Sequence, residues 1–240
     1  MAPAARLLLL SSSTLHPTGY LDYAQAEIRD FLGPEVRAVV FVPYAMHDLD
    51  GYARQARARF GAMGYALRSV HETVSPAEAA GAAQAVFIGG GNTFRLLDRL
   101  HRTGLLAILR ERVASGMPYI GASAGSNVAC PTLKTTKDMP IVQPPSFDAL
   151  GLVSFQISPH FLDPDPSSTH MGETQEERIR QYLEENDSPV AGLREGAILR
   201  IEAGRILLKG SAGARLFRRG EEPFEAKPVT DVTERLRWDP

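Results

Sequence analysis

The sequence holds one cysteine, Cys130, in 240 residues. A lone thiol excludes an intrachain disulfide framework and favours a reducing compartment, so a cytoplasmic location is expected. Long apolar runs are also missing. Leu7 to Leu10 is too short for a signal core and ends in Ser11 to Ser13 with no small-residue cleavage pattern. Nothing else approaches the roughly 18 apolar residues that a membrane span needs, so no membrane partner is expected. Charge of one sign is scarce: 26 basic against 28 acidic residues give a net charge of −2, and the basic residues are scattered apart from Arg215, Arg218 and Arg219. Nucleic acid is therefore not an expected partner. No His-x-x-x-His or Glu-x-x-His helix motif occurs, and neither a metal nor any other cofactor is expected. No internal repeat and no linker justify a cut, so residues 1–240 are expected to form a single α/β domain, alone or as a simple oligomer such as a homodimer.

What is present is the balance of an ordinary globular chain, with 44% hydrophobic and 22% charged residues. Short apolar, β-branched runs alternate with amphipathic segments through the first two thirds. This is the pattern of a parallel sheet with crossover helices. Strands are predicted at Arg6 to Leu10, Ala38 to Val42, Tyr65 to Val70, Ala85 to Ile88 and Pro118 to Ile120. Helices are predicted between them, at Tyr20 to Leu32, Leu49 to Met63, Thr93 to Leu100 and Leu105 to Ser115. Beyond Ala129 prolines break up long elements, and function-bearing loops are expected there. A helix from Thr174 to Asn186 and a hairpin, Ala197 to Glu202 with Arg205 to Leu208 around Ala203-Gly204, follow.

Gly121-Ala122-Ser123-Ala124-Gly125 joins an apolar strand to a helix start at Ser126. Small residues around a serine in a strand-turn-helix context describe a nucleophile elbow, in which a tight turn exposes the hydroxyl at the sheet's carboxyl edge. The amide of Ala124 then offers one oxyanion donor. The plain alternative is a glycine-rich turn. Gly89-Gly90-Gly91-Asn92-Thr93 follows a second strand and offers a second amide, that of Gly91. A phosphate loop would carry a lysine that this loop lacks.

A serine nucleophile needs a base. His16, His47 and His71 follow early strands, His101 ends a helix, and His160 closes the apolar run Val153 to Ile157 in Ser158-Pro159-His160-Phe161. Context alone does not choose among them. An orienting acid is available in Glu195, after the strand Val190 to Leu193, although its residues alone read first as a turn in which it pairs with Arg194.

Together these segments resemble peptidase E, the α-aspartyl dipeptidase family. The matching blocks run in order: Phe87-Ile88-Gly89-Gly90-Gly91-Asn92-Thr93-Phe94, then Gly121-Ala122-Ser123-Ala124-Gly125-Ser126-Asn127, then Thr135-Thr136-Lys137-Asp138-Met139-Pro140. His160-Phe161, Gly172-Glu173-Thr174 leading to Arg178-Ile179, and Gly192-Leu193-Arg194-Glu195-Gly196 complete them. The resemblance implies a flavodoxin-like α/β fold related to class I glutamine amidotransferases. It implies metal-free hydrolysis of dipeptides with an N-terminal L-aspartate. By motif it places the catalytic roles on Ser123, His160 and Glu195, with Asp187 a competitor for the acid, and the oxyanion amides on Gly91 and Ala124. Asn92 and Arg178 are the implied substrate-binding residues, Arg178 reading equally as a helix-surface partner of its neighbours Glu173, Thr174 or Glu177. A cyanophycinase-like β-aspartyl peptidase and a non-catalytic small-anion binder of the same fold are the competing readings. A class I amidotransferase would carry cysteine at the elbow, where this chain has serine.

Overall fold

Leu7–Leu10 is apolar at every position because the strand it forms, β1, is covered on both faces. Leu7 and Leu9 pack into one core layer and Leu8 and Leu10 into the other, as the two-residue period of a strand requires. The computed structural model describes residues 5–167, 169 and 171–238. Strands β2 (Ala38–Val42), β3 (Ala66–Ser69), β4 (Val86–Ile88) and β5 (Tyr119–Ala122) join β1 in parallel, in the order β3-β2-β4-β5-β1. Helices α1 (Gln25–Leu32) and α2 (Leu49–Ala62) pack on the Leu8 and Leu10 side. Helices α3 (Pro76–Gly81), α4 (Thr93–Arg102) and α5 (Leu105–Ala114) pack on the other. Chain order reverses at β2, which has β3 on one side and β4 on the other. Loops at the carboxyl ends of strands beside such a switch line the crevice where doubly wound sheets bind ligands.

The remaining elements are α6 (Ala124–Asn127), β6 (Gln156–Ser158), α7 (Gln175–Glu185), β7 (Val190–Leu193), β8 (Ala197–Glu202), β9 (Arg205–Gly210), β10 (Ala214–Phe217), β11 (Phe224–Ala226), β12 (Thr230–Asp231) and α8 (Thr233–Leu236). The expected hairpin is β8 and β9, closed by Ala203 (φ 51°) and Gly204 (φ 75°), two successive left-handed residues as a primed turn demands. β8 lies antiparallel on β1 and β12 on β9, so the hairpin widens the main sheet to eight strands. A second sheet has the order β11-β10-β7-β6, with β6 and β7 parallel. Its Ile157, Ala191, Leu193 and Leu216 share the core layer of Leu7 and Leu9. The fold is thus mixed α/β, with a large, mostly parallel sheet between helices. Among the described residues no helix is long and apolar enough to cross a membrane.

Two local departures have clear causes. The helix expected from Tyr20 starts only at Gln25, because the Asp22 carboxylate accepts from Gly19 N–H while Asp22 N–H donates to Gly19 O, and Leu21 is left-handed at φ 57°. This closed turn competes with helix for the same backbone groups. Helix α3 was not expected; six residues are too few to show periodicity, and Ser75 at its N-cap with Pro76 following were its only signals.

Candidate active site

Parallel pairing of Ile88 with Gly121 brings the loops after β4 and β5 out side by side at the sheet's carboxyl edge. Ser123 stands at the second of them with φ 52° and ψ −108°, a conformation that a non-glycine residue holds only when its surroundings over-determine it. Those surroundings are explicit. Ser123 N–H donates to Leu10 O at 3.0 Å, and the buried Ser126 hydroxyl bonds Leu10 O and Gly121 O at 2.7 and 3.0 Å. Tyr119 O–H donates to Gly125 O at 2.6 Å. Gly125 must be glycine, since a Cβ there would lie 2.1 Å from Ile88 O.

His160 reaches the same place from the second sheet. It lies two residues past β6, and Glu195 two residues past β7, the parallel neighbour of β6. Phe161 N–H extends the pairing to Leu193 O at 2.9 Å. The Phe161 ring is buried where Gly192 leaves room for it; a Cβ on Gly192 would come within 2.8 Å of the ring. His160 is itself left-handed, with φ 53°. Its Nε2 is 3.0 Å from Ser123 Oγ and its Nδ1 2.8 Å from Glu195 Oε1. With Nδ1 donating to the carboxylate, Nε2 is left to accept from the serine hydroxyl. Both partners are partly open to solvent, with side-chain exposures of 39% for His160 and 49% for Glu195. Tyr23 donates to Ser12 O at 2.7 Å, and burial, with a smaller push from the Glu195 charge, raises its pKa to about 12, so the phenol stays neutral beside the carboxylate.

The other expected residues sort themselves by their partners. Asp187 pairs with Arg219 at 2.7 Å, and among the described residues the carboxylate bonded to His160 is that of Glu195. His71 lies between Ser69 Oγ and Asp50, and His101 bonds Asp148 O. Gly90 packs against the elbow, where a Cβ would sit 3.1 Å from Ser123 Cβ. Gly91 follows at φ 132°, with Ala45 O 2.7 Å from where its Cβ would be. Among the described residues neither Gly91 N–H nor Ala124 N–H donates to a protein carbonyl. Asn92 is held in place at both ends of its amide: the side chain accepts from Arg95 N–H as the N-cap of α4 and donates to Met139 O, with one N–H left over. Arg178 sits on α7 with 57% of its side chain exposed, 3.6 Å from Glu173, the surface pairing that was its alternative reading. Cys130 is fully buried and its thiol pKa is pushed up by burial, which leaves it inert as a nucleophile.

Three residues that hold this arrangement carried no expected role. Ser11, fully buried at the end of β1, accepts from His160 N–H at 2.9 Å and donates to Leu193 O at 2.7 Å, tying the histidine loop to β7 and to the main sheet. Asn127 and Thr135 both donate to Ile157 O, at 2.7 and 2.9 Å, and so fix β6 against the elbow helix. The signal was available, in the form of single hydroxyls and amides set beside apolar runs.

The model of peptidase family S51 matches residues 7–209. This chain belongs to that family. It is 55% identical over 230 residues to Peptidase E of Streptomyces coelicolor, covering 96% of this chain and 94% of that one. It is 44% identical over 235 residues to a protein of Drosophila melanogaster named "Probable alpha-aspartyl dipeptidase", with 97% and 98% covered. The solved structure of a peptidase from an acI-B1 Actinobacterium superposes with a TM-score of 0.71 at 18% identity over 96% of this chain and 97% of that chain, a likeness of fold. As a family S51 serine peptidase, this protein makes the Ser11 bridge testable. Ser11→Ala removes the acceptor of His160 N–H and one of the two donors to Leu193 O, leaving that of Phe161. Loss of alignment at the base is expected to lower kcat by roughly 10- to 10²-fold, measured beside a thermal melt that reports the lost hydrogen bonds separately.

Proposed function

We propose that this peptidase hydrolyses dipeptides whose N-terminal residue is L-aspartate. The reading is carried by one observation, the unbroken hydrogen-bond chain from Glu195 through His160 to Ser123 at an elbow of strained backbone. The relative named an alpha-aspartyl dipeptidase supports the substrate class.

In this reading Ser123 Oγ attacks the carbonyl carbon of the aspartyl residue as His160 Nε2 takes the hydroxyl proton. The amides of Gly91 and Ala124 receive the negative charge that develops on the carbonyl oxygen. Glu195 holds the imidazole in the tautomer with Nδ1 protonated and balances the imidazolium. His160 then passes the proton to the departing amine, the peptide bond breaks, and an aspartyl ester remains on Ser123. Water, deprotonated by the same imidazole, attacks the ester and releases aspartate. The proton ends on Ser123 Oγ, restoring the enzyme. The lone buried Cys130 supports a cytoplasmic location.

Hydrolysis of Asp-Leu set beside Glu-Leu, Asn-Leu and β-Asp-Leu tests the substrate class. Cleavage of Asp-Leu with the other three much slower is the expected result; a preference for β-Asp-Leu would make the enzyme an isopeptidase, and cleavage of none would remove the reading. Acidification is expected to slow Asp-Leu hydrolysis reversibly, since only a neutral imidazole accepts the serine proton. A rate flat from acid to neutral pH would take His160 out of the role.

A further inference from the structure

An aspartyl side chain entering a partly desolvated site must meet a cation or several N–H donors. Most cations near α7 already have acidic partners. Arg194 is clasped by Asp163 and Glu225, Arg215 by Glu176, Arg180 by Glu176 and Glu222, and Arg178 by Glu173. Lys134 and Lys137 both line the cavity beside α7 without an ion pair among the described residues; Lys134 Nζ donates to Asn186 Oδ1 at 3.1 Å, whereas the histidine loop is bound by Lys137. Lys137 Nζ donates to His160 O at 2.8 Å and to Gln175 Oε1 at 3.0 Å, both neutral acceptors. An ammonium has three donors, so one remains for a ligand, and no carboxylate among the described residues is in ion-pair contact with it. The ammonium is bound to the backbone of the residue whose imidazole touches Ser123 Oγ.

The segment that carries Lys137 is held on both sides. Thr135 is fastened to Ile157 O, and the Asp138 carboxylate accepts from Thr93 N–H and Thr93 Oγ1, both at 2.6 Å, at the first turn after the glycine loop. Lys137 therefore spans from the glycine-loop helix to the histidine loop. It lines a cavity of about 90 Å³ with Thr136, Ser158, Gln175, Arg178 and Tyr182. That volume suits one short side chain and is far below the several hundred Å³ of a site for a larger ligand.

We propose that Lys137 is the specificity-determining cation, whose free ammonium donor receives the side-chain carboxylate of the substrate's N-terminal aspartate. The proposal rests on the substrate class put forward above. A second consequence concerns pH. The residue is exposed as a whole, but its ammonium end is turned inward, and burial is the largest influence on it, lowering its pKa to about 8. Asp138 and Glu195 pull the value up and Arg178 pushes it down; the His160 imidazole belongs to the same surroundings. Below about 8 the side chain is charged, and above it the charge is lost. Preference for aspartate is then greatest on the acid side of that value and fades on the alkaline side.

The experiment measures kcat/KM for Asp-Leu and Asn-Leu between pH 6.5 and 9.5 in the wild type and in Lys137→Met, Lys137→Arg and Arg178→Met. kcat/KM reports the free enzyme and the free substrate, so the amino group of each dipeptide is titrated separately and its contribution divided out before the Asp/Asn ratio is taken. The wild-type Asp/Asn ratio is expected to fall as pH rises through 8, and Lys137→Met to lower kcat/KM for Asp-Leu by roughly 10²-fold while Asn-Leu changes only a few-fold. Lys137→Arg keeps the preference and loses its pH dependence, because a guanidinium does not titrate in this range. Unchanged kcat/KM for both substrates in Lys137→Met, or in Lys137→Gln should the first variant not fold, overturns the proposal. So does an equal loss on both substrates in Lys137→Met, which would make Lys137 a positioning residue for His160. Closure of the gap by Arg178→Met alone would move the carboxylate site to Arg178. A wild type that does not prefer Asp-Leu to Asn-Leu ends the substrate reading itself, a failure visible before any variant is made.

Discussion

Ser123→Ala is expected to lower kcat for Asp-Leu by about 10⁴- to 10⁶-fold while the protein stays folded, because the nucleophilic oxygen disappears and no core packing does. Among the described residues the hydroxyl's one hydrogen bond is with His160 Nε2 at 3.0 Å; the bonds that shape the elbow come from Ser126, Tyr119 and the backbone of Ser123, all of which alanine leaves in place. His160→Ala is expected to cost a similar factor, and the double variant little more, since base and nucleophile act as a unit. Single-turnover rates and a melting curve for each variant check this. Near-wild-type turnover in Ser123→Ala, or losses that multiply in the double variant, would mean that the observed hydrogen bond is not the reacting pair.

The second large effect is expected at Glu195. Replacing it by glutamine keeps the shape but removes the charge that favours an imidazolium, and a neutral amide can present its N–H to Nδ1 and stabilise the wrong tautomer. A fully buried triad carboxylate carries about 10⁴-fold in kcat. Here half of the Glu195 side chain and 39% of the His160 side chain face solvent, so water screens the charge and can take part of its role. A loss of roughly 10²- to 10³-fold is therefore expected, below the buried value. Asp187→Asn is the matched control: Asp187 is engaged with Arg219, and its removal should leave kcat unchanged within a factor of about two. If the Asp187 variant is crippled and the Glu195 variant is not, the acid has been misassigned.

How much of this could be read along the chain depends on the range of the interactions involved. The parallel strands, the crossover helices and the hairpin follow from local patterns: two-residue alternation, amphipathic stretches, and an Ala-Gly pair that takes two left-handed conformations in succession. The elbow was legible for the same reason, since Gly121, Ser123 and Gly125 record a steric demand within five residues, visible as the 2.1 Å clash that any Cβ on Gly125 would meet. Even the absences were informative, because one cysteine and a near-zero net charge narrow the chemistry without any fold being known.

Beyond what the family resemblance implied, tertiary structure decided which histidine meets the serine and which acid meets that histidine. Five of the histidines stood on nearly equal terms in sequence; only the parallel pairing of β6 with β7 in a separate small sheet, and its attachment to the elbow through Ser11, Asn127 and Thr135, puts His160 at 3.0 Å from Ser123 and Glu195 at 2.8 Å from His160. The same packing fixed the Asn92 amide between Arg95 and Met139, gave Arg178 an acidic partner, and left Lys137 hydrogen-bonded to neutral acceptors only. Side-chain identity is a local property and survives in the sequence. Which donors remain unpaired is a sum over neighbours tens of residues away, and only the folded chain carries it.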